Sequence, residues 1–168
     1  YQHNPDSSVW GPMHWGHATS TDLIEWQHEP IALFPDSLGT IFSGSAVVDS
    51  NNTAGFAKPG ETALVAIFTH HNTQGEKAGR SDFQTQSLAY SVDDGKTWIK
   101  YDQNPVIKNP GIKDFRDPKV IWYAPKQKWI MSLAAQNKIL FYSSKDLKNW
   151  TAESSFGENM GAHGGVWE

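Results

Sequence analysis

No cysteine occurs among the 168 residues. Disulfides and thiolate metal sites are thereby excluded, but the compartment is left open, because exported proteins also do without cysteine. Basic residues are too few to make a positive face: 14 Lys and Arg stand against 18 Asp and Glu, for a net charge of -4. That balance argues against a nucleic-acid partner and against docking on an anionic membrane. No apolar run approaches the ~18 residues of a membrane-spanning helix. Long helical periodicity, low-complexity segments and blocks of like charge are missing as well. So is a methionine at position 1, and the expectation is that further residues, with any export signal, precede Tyr1.

What the chain has in quantity is aromatic residues, 12% of the total, with eight tryptophans. Flat aromatic faces suit the apolar faces of sugar rings, and they also fill β-sheet cores. The local pattern is β throughout. Runs such as Ala63-Leu64-Val65-Ala66-Ile67-Phe68 and Lys138-Ile139-Leu140-Phe141-Tyr142 have strand length and composition, separated by Gly, Pro, Asn and Asp.

The chain also repeats. Ser20-x-Asp22, Ser91-x-Asp93 and Ser144-x-Asp146 are each followed shortly by a tryptophan: Trp26, Trp98 and Trp150. The middle copy, Ser91-Val92-Asp93-Asp94-Gly95-Lys96-Thr97-Trp98, has the form of an Asp-box. Each copy reads as a hairpin turn in which Asp bonds the local backbone, a turn device rather than a catalytic one. A second landmark keeps step, at Phe42-Ser43-Gly44, Phe115-Arg116-Asp117 and Val166-Trp167-Glu168. The spacing is 72 residues from Trp26 to Trp98 and 73 from Ser43 to Arg116. It is 52 from Trp98 to Trp150 and 51 from Asp117 to Glu168. The surplus of the longer unit is expected in polar loops around 51–60 and 71–82.

Units of roughly 50 residues with several short strands suggest the blades of a β-propeller. The expected layout is the outer part of one blade in 1–38, whole blades in 39–108 and 109–162, and the start of a further innermost strand in 163–168. A partial propeller leaves blade faces uncovered, so the chain is expected to be part of a longer one. Asp117 and Glu168 then fall at equivalent positions, each opening an innermost strand that lines the central funnel. Paired carboxylates facing one cavity are what glycoside hydrolysis requires.

Five motifs, in order along the whole chain, carry a family resemblance. They are Tyr1-Gln2-His3-Asn4-Pro5, Trp10-Gly11-Pro12-Met13-His14-Trp15-Gly16-His17-Ala18, Phe42-Ser43-Gly44-Ser45-Ala46-Val47, Phe115-Arg116-Asp117-Pro118-Lys119-Val120 and His163-Gly164-Gly165-Val166-Trp167-Glu168. With them the chain resembles glycoside hydrolase family 32, the invertases, exo-inulinases and levanases. The resemblance implies a five-bladed propeller and the retaining hydrolysis of terminal β-D-fructofuranosyl linkages in fructans or sucrose. It implies no cofactor and no metal, and export to the medium or the periplasm.

The same resemblance implies the roles. Glu168 looks like the general acid/base, and Asp117 like the third carboxylate, which stabilises the transition state. Arg116 would hold the sugar ring and keep Asp117 ionised. Gln2 and Ser43 would bond hydroxyls of the terminal fructosyl unit, while Trp10 and Phe42 shape its apolar wall. The family's nucleophile belongs to an Asn-Asp-Pro-Asn-Gly motif upstream of the Tyr-Gln run, and this chain does not contain it. Asp6 lies after the Gln and does not replace it. The contexts of Ser43 and Asp117 look closer to fructanases than to sucrose-specific invertases.

Two other readings stand beside this one. The Asp-box also occurs in sialidases, but those clamp a carboxylate with three arginines, and only Arg80 and Arg116 are present. A non-catalytic fructan-binding relative would share the same motifs. His14/His17 and His70/His71 lack a consistent third partner for a metal. The triplets opening at Asn51 and Asn149 are glycosylation sequons of the kind that arise by chance.

Overall fold

The computed structural model describes residues 1–159. These form three antiparallel meander sheets, each running in sequence order. The first contains β1 (Gln2–His3), β2 (His14–Thr19) and β3 (Gln27–Leu33). The second contains β4 (Thr40–Asp49), β5 (Ala63–His71), β6 (Gln84–Ser91) and β7 (Ile99–Lys100). The third contains β8 (Phe115–Tyr123), β9 (Lys128–Ala135), β10 (Lys138–Ser144) and β11 (Thr151–Phe156). A short helix, α1 (Thr73–Lys77), interrupts the β5–β6 connection. His71, expected in that loop, is the last residue of β5, and Asn72 caps the helix by accepting a bond from the Gly75 N–H.

All three Ser-x-Asp segments are turns joining the last two strands of their sheets. Asp22 accepts bonds from the Ile24 and Glu25 N–H groups, and Asp146 from those of Lys148 and Asn149. Asp93 accepts from both the backbone and the hydroxyl of Thr97. These bonds, with the Thr97 hydroxyl contributing most, pull the Asp93 carboxyl down to about 2.

β5 explains the packing. Its apolar run is buried on both faces, because alternate side chains enter two different cores. Ala66 and Phe68 join Leu33 of the first sheet. Val65 and Ile67 join Phe115, Met131 and Leu133 of the third. Full burial of each such Phe, Leu or Ile is worth about 1.5–3 kcal/mol, so the sheets are held face to face mainly by these two layers.

The seam between the second and third sheets is polar where it nears the heads of β4 and β8. Ser45 Oγ donates to the Pro118 carbonyl at 2.9 Å and accepts from the Val120 N–H at 3.0 Å. Gln86 Nε2 donates to the Phe115 carbonyl, and Gln84 Oε1 accepts from the Phe115 N–H, both at 2.9 Å. Buried side chains of one sheet thus satisfy backbone groups of the next, which fixes the position of β8 as well as its burial.

Candidate active site

β4 and β8 each carry a register irregularity near their start. In β4, pairing with β5 passes from Ile41↔His70 to Gly44↔Phe68, leaving Phe42 and Ser43 in a bulge. In β8, pairing with β9 passes from Arg116↔Ala134 to Lys119↔Ser132, leaving Asp117 and Pro118 in the equivalent bulge. Bulges re-aim side chains out of the pleat. Each has a local cause. Pro118 has no N–H to give the ladder. Gly44 lies so close to β5 that a Cβ there would sit 2.0 Å from the Ile67 carbonyl oxygen.

Asp117 has φ 63° and precedes a proline. Backbone of that kind is sparsely populated and is held only where its surroundings over-determine it. Thr69 supplies part of the restraint: its hydroxyl accepts from the Asp117 N–H at 3.1 Å and donates to Gln86 Oε1 at 2.7 Å.

Asp117 and Arg116 are about one-fifth exposed, 23% and 22% for their side chains. Arg116 Nε lies 3.6 Å from Asp117 Oδ2, and Arg116 Nη1 donates to Asp114 Oδ1 at 2.5 Å. The guanidinium is therefore braced between two carboxylates, both partly exposed. One depression is bordered by Ser43, Asp117, Lys119 and Ser132. A second is bordered by Gln2, Trp15 and Ser43. Ser43 borders both, so the two adjoin. Gln2 Nε2 is buried and has no hydrogen-bond partner among the described residues.

Phe42 stacks flat on His71, with ring centroids 4.1 Å apart and planes 4° apart. Trp10 meets Phe42 edge-on at 5.7 Å and is itself 70% exposed. The structure thus gathers Gln2, Ser43 and Asp117 around adjoining depressions, with Arg116 beside Asp117; Phe42, next to Ser43 in the β4 bulge, carries the contact with Trp10. Glu168 lies outside the described residues.

The sequence assigned no role in the site to Thr69, Gln84, Gln86 or Asp114, and met His71 only as half of a His-His pair. The available signal was Gln84-x-Gln86, two amides at period 2, and so on one face, in the polar first half of β6.

His70 and His71 point to opposite faces of β5, as strand alternation requires. His70 is fully buried, with Nδ1 2.7 Å from Ser87 Oγ and Nε2 3.3 Å from Asp36 Oδ2, the latter out of line for a hydrogen bond. Lys100 also reaches Asp36 and the Phe34 carbonyl. Burial drives the His70 pKa down to about 4, against the pull of Asp36. The unfolded imidazole binds a proton near 6.5 and the folded one only near 4. Stability is therefore full above pH 6.5 and falls as pH drops towards 4, by up to about 3 kcal/mol. Urea melts of the full-length protein from pH 7 to pH 4 are expected to show this loss, and His70→Gln to flatten it.

Antiparallel meander sheets packed face to face through two apolar layers define the architecture of a β-propeller. The match to the model of the glycosyl hydrolases family 32 N-terminal domain extends over residues 1–168, and the chain belongs to that family. Its all-β fold is part of the family's five-bladed propeller. It is 59% identical to levanase from Bacillus subtilis, over 100% of this chain and 24% of that protein. It is 44% identical to the extracellular exo-inulinase inuE of Aspergillus niger, over 100% of this chain and 35% of that protein. The crystal structure of exo-inulinase from Aspergillus awamori superposes with a TM-score of 0.87 at 43% identity, over 99% of this chain and 36% of that one. The chain thus spans about a quarter to a third of the length of these relatives. A sialidase, which the Asp-box had left open, is not the family matched.

Proposed function

We propose that this chain supplies one wall of the active site of a secreted β-fructosidase, which hydrolyses terminal β-D-fructofuranosyl linkages in inulin, levan or sucrose with retention. The observation that carries the reading is the Arg116-braced Asp117 at the head of β8, beside the Ser43 and Gln2 depressions. Asp117 accepts bonds from fructosyl hydroxyls, and its charge favours the oxocarbenium-like transition state. Gln2 and Ser43 bond further hydroxyls, Arg116 orients the ring, and Phe42 with Trp10 forms the apolar wall. On this reading 1–38 is the outer part of one blade, and 39–108 and 109–162 are whole blades, each with one of the three sheets.

The chemistry runs in two displacements. A carboxylate nucleophile from outside this chain attacks the anomeric carbon while Glu168 gives its proton to the leaving oxygen. Glu168 then takes a proton from water, which attacks the same carbon and frees the nucleophile. The test is product analysis by NMR on the full-length protein with sucrose, inulin and levan. Initial release of the β-anomer of fructose supports the reading. Initial release of the inverted anomer refutes retention, and binding of fructan without hydrolysis refutes the enzyme.

A further inference from the structure

We infer that His71 is a positioning residue, which ties the Phe42 wall of the fructosyl site to the strand head carrying Arg116 and Asp117. The inference rests on the fructosidase reading for its kinetic consequences, but not for its geometry.

The geometry begins with an unambiguous amide. Gln84 Oε1 accepts from the Phe115 N–H at 2.9 Å. The other end of that amide, Nε2, is then a donor, and it lies 3.3 Å from His71 Nδ1. Nδ1 must accept, so the ring proton of neutral His71 sits on Nε2. Nε2 faces Glu76 Oε2 at 3.2 Å, though not in line for a hydrogen bond. A relay therefore runs from the Phe115 backbone through Gln84 to His71, and Phe115 immediately precedes Arg116 and Asp117. The ring's other surface is the stack on Phe42 at 4.1 Å, with Phe83 edge-on at 5.4 Å.

Two further observations fit a part held still. His71 is 3% exposed. Gly39 packs so tightly on its backbone that a Cβ there would stand 2.2 Å from the His71 carbonyl oxygen. Burial, together with the positive charge of Arg116 on β8, lowers the His71 pKa against the opposing pull of Glu76 on α1. The ring is thus kept neutral and able to accept from Gln84.

The two attachments separate in kinetics. His71→Phe keeps a ring on Phe42 but loses the acceptor for Gln84. His71→Gln keeps an acceptor but loses the ring. In the full-length enzyme, His71→Phe is expected to lower kcat about tenfold with little change in KM, because a loosened β8 head misplaces Asp117. His71→Gln is expected to raise KM about fivefold with kcat largely kept, because Phe42 loses its aromatic support. In the wild-type protein, ¹⁵N-histidine NMR, assigned by difference with either variant, is expected to report the Nε2–H tautomer. An Nδ1–H tautomer overturns the relay, whatever the activity. Two variants that merely melt earlier, with kcat and KM as in wild type, reduce His71 to a core residue and overturn the inference. A wild-type protein inactive on every fructoside sinks the fructosidase reading instead; the variants are then compared by fructose binding, where equal affinities overturn the positioning role.

Discussion

Asp117→Asn in the full-length protein is expected to lower kcat/KM for fructosides by about 10²–10³-fold, the range seen when one preorganised group facing developing charge is removed. The substitution is nearly isosteric and keeps a hydrogen-bonding side chain at the same place. Asn tolerates the left-handed backbone as well as Asp does, so the φ of 63° at this position adds no new strain. What is lost is the negative charge that offsets the positive charge growing on the sugar ring. Arg116 would remain braced by Asp114, and its unbalanced charge would then act against the same transition state. Melting should shift by little, since the pair is partly exposed and such pairs contribute about 0–1 kcal/mol. Steady-state kinetics beside a thermal melt decides the matter: activity within threefold of wild type removes Asp117 from the site. Asp114→Asn is the internal comparison and is expected to have the smaller effect, because its carboxylate braces the guanidinium from the other side.

How much of this was legible depends on the range of the interaction. The Ser-x-Asp turns could be read because the bonds that make them lie within a few residues, as in Asp93 to Thr97. The repeat pitch then placed Asp117 at a strand head, and the family motif gave it a role. Arg116 beside Asp117 followed from adjacency. His71 was another matter. As one half of a His-His pair it suggested at most a metal, and nothing local reveals that a bulge 29 residues earlier brings Phe42 onto its ring. Gln84 and Gln86 gave even less, since a neutral amide in a strand is unremarkable until its partner is known. Their partner is the backbone of β8, about thirty residues on. The positive φ at Asp117 was hidden for the opposite reason: a proline ordinarily pushes the residue before it to extended backbone, and it is tertiary contact, the bond to Thr69 included, that holds the exception.

That bond supports the other large effect, on stability. Thr69→Val is expected to cost about 2–4 kcal/mol. The side chains have nearly the same shape, so packing in the fully buried site is preserved. The hydroxyl, however, serves two groups at once. Its loss leaves the part-buried Asp117 N–H without the Thr69 oxygen and the buried Gln86 Oε1 without its donor; an orphaned buried group costs about 1–3 kcal/mol, and the part-buried one less. Thr69→Ser retains the hydroxyl and gives up only a methyl group, worth about 1 kcal/mol. Urea denaturation of the full-length protein, following the transition that reports the propeller, should therefore rank wild type, Ser and Val in that order. Function gives a second reading. The Asp117 backbone is held in the left-handed region partly by this bond, so Val should also lower kcat, while Ser should restore most of it. If Val were as stable and as active as wild type, the Thr69 bond would be an incidental contact. The head of β8 would then owe its position to the Ser45, Gln84 and Gln86 bonds and to the apolar layer of Phe115, Met131 and Leu133.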